Sequence, residues 1–448
     1  TADGGKTWTN VVGSIQGLPK NTWAYQVQPS RFDKNTCYVV FDGHAQNDMK
    51  PYVFKTTDLG KSWKSVVTDE VKTFARHVLE DTENPNLLFL GTEMGLYITV
   101  DGGQNWSQFT NNMPPVAVHY LALHPETNDL VLATHGRGII ILDDISPLRQ
   151  VTKDIIAKDV HFFTASPTVI SEQSAFTEGG DAGEFRGDNP SRAAQISYYL
   201  KSRHTFGKMT MEFFDKEGKK VGDVTPGKSK GINIVDWNYR YKMPKVAKGK
   251  TIASGGSIPP QLPAGEYGVV ITKANKTYET TVKLIPDPNS LYTDADRALQ
   301  YSTTMKLFDM TERLAYVVGQ VDGLGDSLTS RKAANPKLAK IIDPILSKLE
   351  AMKKELVVTT GDNYVSTAEP RLREKIAGVY SEVVTYAGPP TNAQLERLSG
   401  LESELKAAEQ AMEGLKSKEL PKLNAQLTKA KSADIKLRSR EEFMNSDS

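Results

Sequence analysis

Cysteine is nearly absent: Cys37 stands alone in 448 residues. An internal disulfide, a cysteine-rich zinc site and a CxxC redox pair are thereby excluded. That shortage does not place the protein in the cytosol, because exported proteins of Gram-negative bacteria often carry few cysteines. Long apolar runs are missing as well, and nothing approaches the ~18–20 residues of a membrane-spanning helix. There is no excess of one charge: 55 Lys and Arg face 54 Asp and Glu, for a net +1. Bulk electrostatics therefore argue against nucleic acid as a partner and against coating an anionic membrane. No nucleophile elbow, P-loop or HExxH occurs, and the histidines lack zinc-ligand spacing, so neither metal nor cofactor is expected. His119 and His124 lie five apart on one expected strand and so face opposite sides of it. What is present is globular: 39% hydrophobic and 24% charged residues, over a length suited to about two to four domains. The first residue is Thr1 with no charged-then-apolar leader, from which we expect any export signal to lie upstream.

One pattern recurs. Thr1-Ala-Asp3-Gly-Gly5-Lys-Thr7-Trp8, Thr56-Thr-Asp58-Leu-Gly60-Lys-Ser62-Trp63 and Thr99-Val-Asp101-Gly-Gly103-Gln-Asn105-Trp106 share the form Thr-x-Asp-x-Gly-x-(Thr/Ser/Asn)-Trp. Their spacing, about 55 and then about 43 residues, is that of one four-stranded propeller blade. Strand-like runs fill the intervals: Thr22 to Gln28, Cys37 to Phe41, Tyr52 to Lys55, Phe74 to Leu79, Leu87 to Leu90 and Leu96 to Thr99. Val118 to Leu123, Leu130 to Ala133 and Gly138 to Leu142 continue the rhythm without a fourth octet. In each octet the Asp is suited to accept backbone N–H bonds in a tight turn, the Gly to adopt positive φ and the Trp to pack between neighbouring sheets.

If the octet is the turn between third and fourth strands, the turn between second and third strands lies at the opposite end. That turn reads Phe41-Asp42-Gly43-His44, Gly91-Thr92-Glu93-Met94-Gly95 and Ala133-Thr134-His135-Gly136-Arg137-Gly138. Asp42, His44, Glu93, His135 and Arg137 are therefore candidates to ring one end of the fold. The plainer reading is a set of solvated hairpins.

The octet resembles the Asp-box, or BNR repeat, of sialidases, xyloglucanases and the sortilin-type receptor domain. The stretch 124–149, HPETNDLVLATHGRGIIILDDISPLR, is similar to the end of the propeller in large bacterial exported proteins of the glycosyl hydrolase, sortilin N-terminal domain or photosystem II assembly-factor-like type. The resemblance implies an all-β propeller of about three to four blades over 1–150. It makes Asp3, Gly5, Trp8, Asp58, Gly60, Trp63, Asp101, Gly103 and Trp106 fold elements and not catalytic groups. It also implies an exported home, in the periplasm, on the outer-membrane surface or outside the cell. Since those proteins are longer upstream, the missing blades are expected from an upstream segment or another chain.

From about Asp159 the pattern changes to short strands, including Ala194 to Leu200, Lys208 to Phe214, Ile232 to Trp237, Gly268 to Thr272 and Thr277 to Leu284. Pro263-Ala-Gly-Glu-Tyr267 resembles the entry to a late strand of immunoglobulin-like accessory domains, and Gly187-Asp-Asn-Pro190 matches that family's segment too. A disulfide-free β-sandwich over 151–290 is expected. Arg186-Gly187-Asp188 spells an adhesion tripeptide, a match that short strings reach by chance. Trp237, Tyr239 and Tyr241 are either a sugar platform or core packing. Beyond Pro286-Asp-Pro288 the spacing is helical and predicts an antiparallel bundle over 291–448. Helices are expected over 293–321, 336–356 and 369–386, with a fourth capped by Thr391 or Asn392 and bent at Pro421. In that fourth helix Leu398, Leu401, Leu405, Ala408, Met412 and Leu415 form a seam, read first as bundle core. The lysines near 416–431 alternate with acids, as on a solvated face.

A glycoside hydrolase needs two carboxylates about 5–9.5 Å apart across a cleft. Asp42 and Glu93 are the candidates, and Arg137 alone at these loops is too little for a sialidase. The sequence therefore favours a binding or scaffold module of the cell envelope, for peptide, protein or glycan partners. The alternative is a xyloglucanase-like glycoside hydrolase whose catalytic residues lie mainly upstream.

Overall fold

The computed structural model describes residues 1, 3–172, 191–251, 254–360 and 369–446. Sheets dominate the N-terminal part and helices the C-terminal part. Two compact units emerge: Thr1–Ala165 with Ile196–Gly207 and Gly227–Ile234, and Ser166–Gln195 with Lys208–Pro226 and Val235–Ser448.

In the first unit two antiparallel four-stranded sheets follow each other. The first comprises β1 (Trp23–Pro29), β2 (Cys37–Asp42), β3 (Tyr52–Thr56) and β4 (Lys64–Ser65) in that order. The second comprises β5 (Ala75–Glu80), β6 (Leu88–Thr92), β7 (Gly95–Thr99) and β8 (Ser107–Phe109). A third sheet has β9 (Val118–Leu123), β10 (Leu130–Thr134) and β11 (Ile139–Leu142), with β10 in the middle. Two short helices, α1 (Ser146–Arg149) and α2 (Lys153–Ala157), follow. The sheets stack face to face. Tyr38, Val40 and Val53 meet Val78, Leu88 and Leu90 in one apolar layer, and Phe89 and Leu96 meet Val118, Leu121 and Leu132 in the next. Arg149 ties α1 to the β5–β6 loop, its Nε and Nη2 each 2.9 Å from the buried Asp81 carboxylate.

The octets close the turns from β3 to β4 and from β7 to β8, and every recurrent position carries a bond. Asp58 accepts from Ser62 N (2.9 Å), Ser62 Oγ (2.6 Å) and Thr56 Oγ1 (2.8 Å), while Thr56 Oγ1 accepts from Gly60 N (2.9 Å). The same quartet forms around Asp3 with Thr7, Thr1 and Gly5, and around Asp101 with Asn105, Thr99 and Gly103. These bonds favour the ionised carboxylate and hold Asp58 down at about 2, the Ser62 hydroxyl contributing most. The tryptophans differ where uniform packing between sheets is expected. Trp106 is buried and donates to Val66 O at 2.7 Å. Trp8 is 78% exposed and donates only within its own turn, because among the described residues no sheet lies against it.

The octet glycines approach the chain just after the preceding octet, Gly60 at Val11 and Gly103 at Val66. Gly103 has φ +93°, and a Cβ there lies 2.6 Å from Val66 O in the preceding repeat. Gly103→Ala therefore combines left-handed strain with a backbone collision, and we expect it to cost about 3 kcal/mol. Gly136→Ala, also at positive φ (+89°) but in open space, is expected to cost about 1 kcal/mol. Urea unfolding of the two variants side by side separates close approach from strain.

Further along lie β12 (Val160–Phe162), β13 (Thr168–Val169), β14 (Ala194–Leu200), β15 (Met209–Phe214), β16 (Lys220–Val224), β17 (Gly231–Trp237), β18 (Gly265–Lys273) and β19 (Lys276–Ile285). They form one sheet of order β12-β14-β17 and another of order β13-β19-β18-β15-β16. Trp237 and Tyr239 are buried, Trp237 stacking on Phe213 at 4.1 Å and Tyr239 donating to Arg192 O, so neither offers a face to sugar. Tyr241, half-buried, sets its edge against Phe308. The Arg186-Gly187-Asp188 and Gly187–Pro190 strings lie outside the described residues.

The helices of the second unit are α3 (Asp294–Ala334), α4 (Ala339–Leu356), α5 (Leu372–Val384), α6 (Asn392–Gly414), α7 (Leu420–Lys429) and α8 (Arg440–Asn445). Thr293 and Thr391 open α3 and α6 with reciprocal capping boxes. α3 runs 13 residues past the sequence expectation, to Ala334, through Gly323 and Gly325. Burial of Leu324 and Leu328 offsets the ~1 kcal/mol that each glycine costs. The α6 seam enters one core with α3 and α5. Arg313 of α3 clamps Glu402 and Glu409 of α6 at 3.0 and 2.6 Å. A π-turn, Leu415–Glu419, precedes Pro421 and takes up the mismatch that its missing N–H imposes. No helix among the described residues is long and apolar enough to cross a membrane.

Candidate functional site

The first strand of each stacked sheet carries a bulge at the same place. In β1 the irregularity falls between Ala24 and Gln26, in β5 between Ala75 and His77, and in β9 opposite Ala133 and Thr134. The extra residues are Tyr25, Arg76 and His119. A bulge releases its residue from the ladder and re-aims the side chain, which is why bulges gather beside functional sites. All three lie at the end of the sheets that holds the β2–β3, β6–β7 and β10–β11 turns, remote from the octets.

Arg76 is the centre of what forms there. Its Nη1 donates to Asp42 Oδ2 at 2.7 Å and its Nη2 to Glu93 Oε2 at 3.3 Å, so one guanidinium joins the turns of two sheets. Its carbon lies 4.6 Å from the Phe74 ring centroid and 5.4 Å from that of Tyr25. The Asp42 side chain is fully buried and Arg76 is 11% exposed, while Glu93 (38%) and His44 (40%) face outward. Asp42 Oδ1 accepts from His44 N at 2.9 Å and lies 2.7 Å from His44 Nδ1. Because the carboxylate can only accept, Nδ1 is the protonated nitrogen and Nε2 is left to meet a ligand. His44 stacks on Phe74 at 5.1 Å, and His119 on His135 at 5.4 Å. Burial, then the charge of Arg76, lowers the His119 pKa and keeps that ring neutral.

Beneath this row runs a second: Gln26, His77 and Tyr120. The Gln26 amide closes on Val78 through both N (2.8 Å) and O (2.9 Å), which fixes its orientation, and its Nε2 reaches His77 Nε2 at 3.1 Å. An NH2 group only donates, so His77 Nε2 accepts and the ring proton sits on Nδ1, which is buried and unpartnered. The His77 ring meets Tyr120 at 4.3 Å. Burial pushes the His77 pKa down to about 4.

Of the sequence candidates, Asp42, His44 and Glu93 meet around Arg76, and His135 joins them through His119. Arg137 is exposed on the β10–β11 turn. His124 instead lies past β9, bonded to Thr127. Tyr25, Phe74, Arg76 and His119 were not among the site candidates. The signal for Tyr25, Arg76 and His119 is the parallel of Ala24-Tyr25-Gln26-Val27, Ala75-Arg76-His77-Val78 and Val118-His119-Tyr120-Leu121, each a polar or aromatic pair inside an apolar strand. No group of three or more His, Cys, Asp or Glu suited to a metal ion occurs among the described residues.

No family model and no curated protein matches the chain. Local similarity to solved structures exists. YCF48 bound to D1 peptide is 20% identical over 27% of this chain and 35% of its own, with a TM-score of 0.20. The GH74 xyloglucanase from Xanthomonas campestris is 10% identical over 62% of this chain and 40% of its own, with a TM-score of 0.22. The extracellular domain of a hybrid two component system from B. thetaiotaomicron is 10% identical over 59% of this chain and 32% of its own, with a TM-score of 0.23. The chain thus spans well under two thirds of the length of each.

Proposed function

We propose that the chain is an exported binding and scaffold module, with Asp-box propeller blades over 1–150, an immunoglobulin-like module over 151–290 and a helical bundle over 291–448. In this reading the bulged end of the blades takes a peptide, protein or glycan. Glu93, His44 Nε2, His135 and Arg137 are the contacts, and Asp42 and Arg76 are the frame beneath them. Further sheets of the same kind, from this polypeptide or another, are expected to cover Trp8 on one side and Ile139 and Ile141 on the other, all of them exposed.

The observation that supports binding over hydrolysis is the state of Asp42. Its carboxylate is fully buried, with Oδ1 taken by His44 and Oδ2 by Arg76. A two-carboxylate hydrolase needs an acid and a base, or an acid and a nucleophile, that both reach the sugar. Asp42 reaches only its own partners, which leaves Glu93 without a second carboxylate.

Peptide and glycan arrays probed with the full chain and with a Glu93→Gln/His44→Ala/His135→Ala variant test the proposal. One ligand class is expected to bind saturably, to lose about tenfold or more in affinity in the variant (~1.4 kcal/mol or more) and to be released unaltered. Release of reducing sugar from xyloglucan oligosaccharides, abolished by Glu93→Gln, favours the hydrolase instead.

A further inference from the structure

The second unit contains a site of a different kind. After α7 the chain turns at Lys431 (φ +59°) and runs outside any helix or strand over 432–439 before α8. This run lies in a groove along α3, and the groove holds it almost entirely by its backbone. Asn424 donates through Nδ2 to Ile435 O at 3.1 Å and accepts from Ile435 N at 2.9 Å. One side-chain amide reaches both groups of a single residue when that residue is extended, as in a strand pair. Arg331 donates to Ala433 O at 3.0 Å, and Tyr316, itself held by Gln320, donates to Arg438 O at 3.1 Å. Lys245 donates to Phe443 O at 2.6 Å and to Ser446 O at 2.8 Å.

Side-chain anchors are few and regular. Ile435 is buried in the helical core, Leu437 packs beside it, and Phe443 lies against Tyr316 and Lys245. Gly319 makes room for the last: a Cβ there would run into the Phe443 ring. The middle of the segment carries Lys436, Arg438 and Arg440, which Asp434, Glu441 and Glu442 flank; Arg440 pairs with Asp309 at 2.9 Å, and Asp322 and Asp326 line the groove. The fit is loose. A partly open pocket of about 580 Å³, lined by α3, residues 245–248 and the segment, runs alongside, and Arg331 Nε is buried without a partner.

Backbone-directed bonds, two aliphatic anchors two residues apart, an aromatic anchor on the short helix that follows and unfilled volume describe a groove that reads an extended peptide ending in a helical turn. We propose that the α3–α7 groove is a peptide-binding site, occupied in cis by residues 433–443, and that a partner segment of the same pattern, an extended stretch with two aliphatic anchors and interleaved basic residues followed by a helical turn with an aromatic anchor, displaces them. The tethered segment competes at an effective concentration on the order of millimolar. Trans binding to the unaltered chain is therefore weak until the cis segment is loosened.

The test uses the full chain with Ile435→Ser and Phe443→Ala, which weaken the cis segment and leave the groove intact. The probe is a fluorescent synthetic peptide of residues 432–446. Anisotropy is expected to show saturable binding, about tenfold or more tighter than to the unaltered chain, and Asn424→Ala in the same background is expected to weaken it about tenfold. A variant that keeps its helical circular dichroism but does not bind, or that binds regardless of Asn424, overturns the proposal. If the variant loses its helices, hydrogen exchange on the unaltered chain decides. The Ile435 amide is expected to exchange far faster than those of Val317 and Val318. Equal protection means that the segment leaves only when α3 unfolds, and the site does not exist.

Discussion

Arg76→Ala is expected to remove about 3–5 kcal/mol from the stability of the first unit, the cost of stranding a buried charge. Asp42 has no exposure of its own and its Oδ2 has no other partner, so the variant leaves half a carboxylate facing protein. Contacts to Phe74 and Tyr25 vanish at the same time. Glu93→Gln should cost under about 1 kcal/mol, because its 3.3 Å contact is partly open to solvent and screened. A double-mutant cycle is the measurement. Asp42→Ala alone should be costly, whereas in the Arg76→Ala background it should cost less than half as much, since the stranded charge goes with it. Additive losses, or an Arg76→Ala loss below about 1 kcal/mol, mean that the guanidinium is not what joins the two turns. A ligand at the bulged end should also bind at least about tenfold more weakly to Arg76→Ala, because the frame under His44 and Glu93 is gone.

Acidification should weaken the first unit in two separate steps. His77 is buried, and its folded pKa of about 4 lies below the unfolded value of 6.5. Between those values the unfolded chain binds a proton that the folded chain refuses, so stability falls as pH drops from about 6.5 to about 4. The full difference approaches ~3 kcal/mol. The octet carboxylates act lower. Asp58 has a folded value of about 2 against 3.8, so what it contributes is complete above about 4 and is lost as pH falls toward 2. Denaturant midpoints across pH 3–8 should show both slopes in the unaltered chain. His77→Gln should remove the larger part of the upper one, leaving the part that belongs to His119, whose pKa burial also lowers, and leave the lower unchanged. An upper slope unaltered by the substitution assigns it to another group.

The octets were legible in the sequence, residue for residue, because what holds them is local. Each Asp, Thr and Gly of the pattern bonds within four residues of itself, so the turn is encoded where it forms. The longer strands between them were legible as alternating or apolar runs, whereas the short β4 (Lys64–Ser65) and β8 (Ser107–Phe109) carry no such run and were not. Asp42, His44 and Glu93 were found because they interrupt such runs with polar groups at matching turns. Arg76 was not: it sits inside a strand that reads as core, and only its bulge takes it out of the ladder.

Sequence alone determined the three repeated turns, the order of sheets before helices, the start of α3 near Thr293, a cap for α6 at Thr391 or Asn392, and the exclusion of an internal disulfide. All of these depend on neighbours a few residues apart or on composition. Tertiary structure alone decided that Arg76 joins Asp42 to Glu93, that Trp106 is buried while Trp8 is bare, and that residues 433–443 lie in a groove of α3. Those outcomes depend on which surfaces meet across 17 to more than 100 residues of chain, and no local pattern carries that information.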